Sequence, residues 1–277
     1  MIEIITEYGF CTGVKHALSV FEEAKSSSKE LILLKPLMHN EKENEKLLSE
    51  KVSFLGENIS ANASLLFPAH GHDIQDEIRF QHHKTYDALC PVIQARYRLL
   101  EKHKNECKWF YVGKAGHQET IGFLSHFPFL TFVDEKIISD LRDKKELQTG
   151  LIVQSTFELK RAAEMVNFFK TNTDLHFVAN LCPLYLNRAN TAIQVLTEVD
   201  PFKSCFIVLG SKTSSNCNEL YNLIKEKCPL LKGIIANDVK DISLDVVKGK
   251  DIYLVSSTSI SKENVWMIKK QLELMLS

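Results

Sequence analysis

The fold is decided by a stretch near the start of the chain, residues 8–14, which reads Tyr-Gly-Phe-Cys-Thr-Gly-Val. A short apolar run precedes it, two glycines flank the thiol of Cys11, and an amphipathic helical pattern follows. A similar setting recurs at Cys90 and Cys182, each followed directly by proline, a residue well suited to the start of a helix. We therefore predict three thiols, each between a strand end and the positive end of a helix dipole, which favours the thiolate.

The rest of the chain alternates apolar strands with amphipathic helices through short connections. That alternation is typical of parallel βαβ units, whose ligands bind beyond the carboxyl ends of the strands. We predict an α/β fold of three pseudo-repeated modules, each a small, mostly parallel sheet flanked by helices, over residues 1–92, 93–180 and 181–277. Because the cysteines recur at domain-like intervals, we expect them to serve one central site. The pattern also predicts a helix over residues 41–51 and a loop over residues 113–120.

The composition is that of an ordinary globular protein, with 44% hydrophobic and 25% charged residues among 277. The net charge is −1, so no bulk field attracts nucleic acid or an anionic membrane, and any anionic ligand must be held by a local site. The sequence lacks a signal-peptide pattern and an apolar run long enough to span a membrane. We therefore predict a cytoplasmic protein with neither nucleic acid nor membrane as a partner.

Seven cysteines, an odd number, argue against a disulfide framework and for a metal or catalytic role for some of them. Three dispersed thiolates are able to hold zinc with a histidine as the fourth ligand, or an iron–sulfur cluster in which one iron lacks a protein ligand. Structural zinc sites usually draw on closely spaced cysteine pairs, and the chain has none around these three, so the cluster is favoured. For any one cysteine alone, simple burial would be the default interpretation.

Three histidines, His39, His70 and His117, each follow a predicted strand. Together with helix N-termini and the turn Ser214-Ser215-Asn216, they would supply hydrogen-bond donors to a phosphate or diphosphate. A single histidine in such a loop is more often a capping or surface residue, but three in equivalent positions favour a ligand site.

The candidate proton donor is Glu119, two residues after His117, because a carboxylate drawn into a closed site can act as an acid. A solvated surface glutamate is the competing interpretation. Thr156, Ser155 and Ser259 would hydrogen-bond a substrate or relay protons, although helix capping accounts for each of them equally well.

The order of these motifs resembles that of the 4-hydroxy-3-methylbut-2-enyl diphosphate reductase family, LytB-type iron–sulfur enzymes of the last step of non-mevalonate isoprenoid synthesis. Each motif is short, but they span nearly the whole chain in one order. The stretches that carry the resemblance are Gly9-Phe10-Cys11-Thr12-Gly13-Val14, His39-Asn40, Ala69-His70-Gly71, Asp87-Ala88-Leu89-Cys90-Pro91-Val92, Gly116-His117-Gln118-Glu119, Gln154-Ser155-Thr156, Asn187-Arg188 and Gly210-Ser211-Lys212-Thr213-Ser214-Ser215-Asn216.

The resemblance implies a [4Fe-4S] cluster held by Cys11, Cys90 and Cys182, with one iron open for the substrate hydroxyl. It implies that reduced ferredoxin or flavodoxin delivers two electrons and that the products are isopentenyl and dimethylallyl diphosphate. Glu119 and Thr156, together with His117, would serve proton delivery. By the same resemblance the diphosphate would be bound by His39, His70, His117, Ser214, Ser215, Asn216 and Ser259.

The chain departs from the usual family pattern at Leu89, at Ser155, and in residues 183–186 and 257–261. One alternative to the reductase is therefore a cluster- or zinc-binding homologue that no longer turns over. A metal-assisted phosphatase is a second alternative. It is disfavoured because the chain offers thiols where a hydrolase would use clustered carboxylates.

Overall fold

The computed structural model describes residues 1–276. Within them, twelve strands form three four-stranded sheets in which every strand pairing is parallel, so the predicted α/β class with three parallel sheets is confirmed. In chain order the strands are β1 (Ile2–Ile4), β2 (Leu31–Leu33), β3 (Val52–Phe54), β4 (Ser64–Phe67), β5 (Thr85–Asp87), β6 (Lys108–Val112), β7 (Thr131–Phe132), β8 (Lys144–Val153), β9 (Thr173–Ala179), β10 (Ser204–Leu209), β11 (Lys232–Ala236) and β12 (Asp251–Ser256).

Helices connect the strands, as parallel pairing requires. The same residues contain no helix long and apolar enough to cross a membrane. The helices are α1 (Thr12–Ser27), α2 (Glu41–Glu45), α3 (Ile74–Arg79), α4 (Pro91–His103), α5 (Gln118–His126), α6 (Glu135–Asp140), α7 (Leu159–Asn172), α8 (Pro183–Leu196), α9 (Ser215–Lys227), α10 (Leu244–Val247) and α11 (Lys262–Leu276).

The chain divides into two compact units. The first unit comprises Met1–Lys15, Met38–Leu48 and the chain from Pro183 onward, and the second comprises His16–Leu37 and Ser49–Cys182. The first unit contains one sheet, and the second contains the other two.

The sheet of the first unit has the strand order β1-β12-β10-β11. All six residues of β10 are buried, because a continuous apolar run suits a parallel strand covered on both faces. Val265, Ile268 and Leu272 of α11 pack against one face of this sheet. Strand β1 pairs with β12, from Ile2↔Ile252 to Ile4↔Leu254, although it precedes the other strands of the predicted first module. The local sequence pattern predicts that residues 2–4 form a strand, but it does not specify which strand they pair with. The partner of this three-residue strand is a distant segment of the chain, outside residues 1–92.

The sheets of the second unit have the orders β3-β2-β4-β5 and β7-β6-β8-β9. Trp109 and Tyr111 of β6 form a core with Phe123 of α5 and Ile93 and Leu100 of α4. This core fixes α4 and α5 beside the carboxyl ends of β6 and β8, where parallel sheets bind ligands.

Two local predictions were wrong. The predicted helix over residues 41–51 ends at Glu45. Residues 46–51 form turns that lead into β3, which pairs with β2 at Leu31↔Val52. The predicted loop over residues 113–120 is shorter, since α5 begins at Gln118 and the imidazole of His117 caps it by accepting a hydrogen bond from the Glu119 N–H.

Candidate functional site

Cys11 lies immediately before α1 in the first unit. Its Sγ accepts a hydrogen bond from the Val14 N–H at 3.4 Å, and its own N–H donates to the Thr258 carbonyl at 3.2 Å. Gly9, two residues earlier, has a backbone φ of +87°, a conformation that residues other than glycine rarely adopt. The thiol therefore sits on a constrained turn against the first N–H groups of a helix, which favours its thiolate form.

A buried arginine that sequence reasoning did not assign a role holds this turn. Arg188 of α8 is 4% exposed, and its guanidinium donates to the carbonyls of Gly9 at 2.8 Å, of Ser256 at 3.5 Å and of Ser257. Burial lowers the pKa of Arg188, and the negative charges of Glu7 and Cys11 oppose that change. The guanidinium thus joins two loops and places a positive charge near the Cys11 sulfur.

Cys90 and Cys182 belong to the second unit and precede the prolines that begin α4 and α8. The Cys90 N–H donates to the Ala69 carbonyl, and the Cys182 N–H donates to the Ser155 carbonyl, both at 2.9 Å. None of the seven cysteines, which all lie within residues 1–276, forms a disulfide. Each of the three predicted ligands is therefore at the N-terminal end of a helix, as the sequence predicted.

His39 lies on a short excursion of the chain, residues 38–48, that packs within the first unit. The Ser259 hydroxyl donates to the His39 carbonyl at 3.3 Å. Asn40 is 1% exposed and exchanges two amide hydrogen bonds with Asn237, at 2.9 and 3.1 Å. Burial lowers the pKa of His39, while the nearby Glu41 carboxylate raises it.

The excursion is anchored by a buried carboxylate, Glu43. It accepts hydrogen bonds from the Ser261 N–H at 2.9 Å, the Asn264 side chain at 2.7 Å and the Lys46 ammonium at 2.9 Å. Sequence reasoning missed Glu43 because a glutamate in a charged run is usually solvated.

Replacement of this anchor, Glu43→Ala, is expected to lower the free energy of unfolding by about 3 kcal/mol, because the Ser261 and Asn264 donors would remain buried without an acceptor. Urea unfolding of both proteins measures the loss. Glu45→Ala, at an exposed position of the same helix, is the matched control and should change stability by less than about 0.5 kcal/mol. Equal losses in the two variants would contradict the anchoring role.

The predicted phosphate turn forms the N-terminus of α9. Ser214 caps the helix by accepting from the Cys217 N–H at 3.4 Å, and Ser215 is its first residue. The Asn216 side-chain N–H₂ donates to the Thr258 hydroxyl at 3.0 Å, whereas its Oδ1 is buried and finds no hydrogen-bond partner anywhere in residues 1–276. Oxygen and nitrogen of an amide are interchangeable by a flip, so Asn216 is able to present an N–H to an anion and still bond Thr258.

The loop before α9 is closed by Glu41. Its carboxylate accepts from the Ser211 hydroxyl at 2.7 Å and from the Thr213 hydroxyl, contacts that lower its pKa. In the first unit, therefore, Ser259 contacts His39 directly. The α9 turn contacts the neighbouring Thr258, and the loop before α9 contacts Glu41, two residues after His39.

Glu119 is the most unusual carboxyl of the second unit, at 1% exposed. Its Oε1 accepts from the Ser155 N–H at 2.8 Å, its Oε2 accepts from the Ser155 hydroxyl at 2.5 Å, and the Arg96 guanidinium lies 3.2 Å from Oε1. Burial raises the pKa of Glu119, and Arg96 and Ser155 oppose the rise. The competing interpretation, a solvated surface glutamate, is wrong, and Glu119 lies in the first turn of α5 rather than in a loop.

The Glu119 carboxyl is linked directly to the loop that carries Cys182. Ser155 binds the carboxyl through its N–H and hydroxyl, and its carbonyl accepts the Cys182 N–H. Arg96 also connects Glu119 with this loop. It contacts the Glu119 carboxyl and donates hydrogen bonds to the carbonyls of Val153, at 2.7 Å, and Asn180. The Glu119 carboxyl and the backbone of the predicted metal ligand Cys182 therefore belong to one hydrogen-bond network, in which Arg96 had no predicted role.

A raised pKa makes the stability of the protein depend on pH. The unfolded chain releases the Glu119 proton near pH 4.3, whereas the folded chain holds it to higher pH. The stabilising contribution is therefore complete below about pH 4 and is lost as the pH rises through the folded-state pKa. Relative to Glu119→Gln, the wild type should lose stability as the pH rises above about 4, as measured by chemical denaturation. Glu135→Gln, in the exposed first turn of α6, retains the Glu119 carboxyl and should follow the wild type at every pH. A rise of wild-type stability relative to Glu119→Gln as the pH increases would contradict the assignment.

The remaining predicted residues also lie in the second unit. His117 Nδ1 accepts from the Glu119 N–H at 3.2 Å, so the neutral ring carries its proton on Nε2 and is a donor there. His70 precedes Gly71, whose φ of +97° lets the backbone approach the start of α5, near the Gln118 carbonyl. Thr156 accepts from the Gln154 amide at 3.2 Å. Ser155, rather than Thr156, therefore makes the described contacts with Glu119.

Comparison with known proteins identifies the family. A family profile described as LytB protein matches residues 2–273. The chain belongs to the LytB protein family. A relative of this LytB chain in Dictyoglomus thermophilum, named 4-hydroxy-3-methylbut-2-enyl diphosphate reductase, is 30% identical over 241 residues, which cover 83% of this chain and 81% of that protein. A protein of the same name in Helicobacter pylori is 25% identical, over 97% and 96% of the two chains.

Two solved structures share the LytB fold. The E-1-hydroxy-2-methyl-but-2-enyl-4-diphosphate reductase of Plasmodium falciparum superposes with a TM-score of 0.83 at 21% identity, covering 100% of this chain and 88% of that one. A second reductase, described as the terminal enzyme of the non-mevalonate pathway, gives a TM-score of 0.69 at 23% identity, with 99% of both chains covered. At these identities the likeness supports the fold, and the sequence match defines the family.

Proposed function

We propose that this LytB-family chain reduces 4-hydroxy-3-methylbut-2-enyl diphosphate to isopentenyl and dimethylallyl diphosphate, as the names of its relatives suggest. In this reaction the allylic C–O bond breaks, a C–H bond forms, and two electrons and two protons are consumed while water leaves. The observation that carries the proposal is the network of Glu119, Ser155 and Arg96, which holds a protonatable carboxyl next to the Cys182 loop. A reductive loss of water needs an acid at that place.

We propose Cys11, Cys90 and Cys182 as the ligands of a [4Fe-4S] cluster. The donor set fits, because none of the three is in a disulfide, all lie at helix N-termini, and the Val14 N–H and the Arg188 charge favour a thiolate at Cys11. When bound, such a cluster supplies electrons and a Lewis-acidic iron with no protein ligand.

The diphosphate is proposed to be held by donors that carry little net charge. In the first unit these are His39, Ser214, Ser215, Asn216 and Ser259, and in the second unit His70 and His117. The N-terminus of the 13-residue helix α9 adds a positive partial charge and unsatisfied N–H groups. The orphaned amide of Asn216 supports this assignment, since a phosphate oxygen would satisfy it.

Proton delivery is proposed for Glu119, with His117 and Thr156 beside the path. A carboxyl whose pKa is raised by burial retains its proton at higher pH and is a suitable acid for the leaving hydroxyl. Ser155 fixes the carboxyl orientation through both oxygens. Reduced ferredoxin or flavodoxin is the proposed electron donor, and the cytoplasm remains the predicted location.

One anaerobic assay tests the function. Protein reconstituted with iron and sulfide is mixed with the hydroxylated diphosphate and a reduced viologen dye, and we expect dye oxidation together with isopentenyl and dimethylallyl products. Full iron loading without products would instead favour the homologue that does not turn over. Release of inorganic phosphate without any reductant would favour a phosphatase.

A further inference from the structure

A second polar cluster lies in the second unit, formed by His72, Glu77 of α3 and His126 at the end of α5. The Nε2 atoms of His72 and His126 approach the same carboxylate oxygen, Glu77 Oε1, at 2.8 and 3.0 Å. The three candidate ligand atoms all lie within 4.8 Å of one another. Sequence reasoning assigned no role to either histidine, because they are far apart in the chain and show no motif.

The hydrogen bonds fix which atom of His126 faces Glu77. Its Nδ1 lies 2.9 Å from the Gly122 carbonyl, which only accepts, so Nδ1 must carry a proton. A neutral His126 ring therefore directs the lone pair of Nε2 at Glu77 Oε1 across 3.0 Å. Two lone pairs at that distance repel each other unless a cation lies between them, and the cation is either a proton or a metal ion.

His72 is compatible with the same arrangement. Its side chain is 5% exposed, and its Nδ1 is buried without a hydrogen-bond partner in the described part of the chain. Because no donor holds Nδ1 as an acceptor, the ring is able to carry its proton there and offer the Nε2 lone pair to a metal. The ring is also held in place, stacked on Phe67 with centroids 4.0 Å apart.

We propose that His72, Glu77 and His126 form a binding site for a divalent transition-metal ion, best suited to zinc. Two imidazole nitrogens and one carboxylate oxygen are a common zinc ligand set, with metal–ligand distances of about 2.0–2.2 Å. Tetrahedral ligands at that radius are about 3.3 Å apart. The two short contacts therefore need to open by a few tenths of an ångström, and the two Nε2 atoms, which lie within 4.8 Å of each other, need to reach the same spacing. Glu77 is half exposed and free to make this adjustment.

Local charge also favours a dication. The carboxylate of Asp87, at the end of β5, interacts electrostatically with His72, Glu77 and His126. With neutral histidines the ionised Glu77 leaves a net negative charge here, and a divalent ion would also stabilise the ionised form of Asp87, whose pKa burial raises. Three protein ligands leave one coordination position for water.

The site would act as a structural clamp within the second unit. His72 lies two residues after His70, and α5 begins beside His117 and carries Glu119. A metal held by His72 and His126 would fix the loop of His70 against α5, in addition to the close approach of Gly71. The clamp is independent of the three cysteines proposed for the cluster.

The experiment counts zinc. Full-length wild type, Glu77→Gln and His126→Gln are stripped with a chelator and titrated with Zn²⁺ without oxygen, and bound metal is measured after gel filtration. All three proteins retain seven cysteines, so thiol-bound zinc is common to them. We expect the wild type to bind one more zinc per chain, and Glu77→Gln to weaken that site at least about 100-fold. The matched control, His176→Gln, removes an exposed His–Asp pair that lacks a second histidine, and should bind as the wild type does.

Two further readouts identify the site. At about 100 times its dissociation constant, Zn²⁺ should raise the wild-type unfolding midpoint about 5 °C more than that of Glu77→Gln. Co²⁺ in the extra site should give a ligand-field spectrum without thiolate charge transfer. Equal zinc content in wild type and Glu77→Gln, or only thiolate-type cobalt spectra, would overturn the proposal. If His126→Gln does not fold, Glu77→Gln decides, because the half-exposed glutamine preserves the side-chain shape.

Discussion

Glu119→Gln is expected to lower kcat for the proposed reduction by about 10²- to 10⁴-fold, the usual contribution of a positioned acid. Glutamine is nearly the same size and keeps an oxygen for the Ser155 N–H, but it has no acidic proton to deliver. Since the residue is proposed to act on the leaving hydroxyl rather than on the diphosphate, KM should change far less than kcat.

Steady-state assays of anaerobically reconstituted protein measure this effect. The control is Glu135→Gln, which also changes a glutamate in the first turn of a helix, but an exposed one. Iron content and the unfolding midpoint of Glu119→Gln must be checked alongside, because Arg96 loses its buried counter-charge. Nearly unchanged kcat in a fully loaded Glu119→Gln protein would remove Glu119 from the chemistry.

Cys182→Ser is expected to abolish stable cluster assembly, so that iron falls from about four per chain to a small fraction of that value. A serine hydroxyl is a much weaker ligand for iron than a thiolate, and only three protein ligands are proposed. Iron and sulfide analysis after anaerobic reconstitution, together with the visible absorption of the cluster, measures the loss.

Cys107→Ser is the matched control. Cys107 is half-buried, and burial raises the pKa of its thiol to about 11, so it is a poor thiolate ligand at neutral pH. This variant should load iron as the wild type does. Full iron in Cys182→Ser would refute the proposed ligand set.

The sequence predicted the class of fold well because its strongest signals are local. Apolar runs such as β4 and β10 are buried along their whole length, as continuous apolar strands of a parallel sheet are expected to be. The three cysteine positions were also predictable, since proline and glycine mark helix starts. Strands β3 and β11 were harder to predict from the sequence, because pairing with a neighbouring strand stabilises them more than their own residue pattern does.

The sequence indicated which residue types are candidates for the site, but not how buried each side chain is or what it contacts. The sequence singled out Glu119 as a candidate acid, but it did not reveal the contact with Arg96, which lies 23 positions earlier on another helix. The sequence assigned no role to Arg188 or Glu43 for the same reason. A charged residue in a helix normally faces water, and only tertiary contacts show that these two bind backbone groups from loops far away in the sequence.

The pairing of β1 with β12 has a consequence for how the protein is made. Ile2 lies beside Ile252, and the Met1 ammonium reaches Asp251 at 3.0 Å. A ribosome adds about 5–20 residues per second, so the partner of β1 emerges roughly 10 to 50 s after β1 itself. The second unit is fully synthesised once Cys182 has been added, and it is therefore able to fold on the ribosome while β1 still lacks its neighbour. During this interval the two isoleucines of β1 lack the strand beside which they pack in the finished sheet.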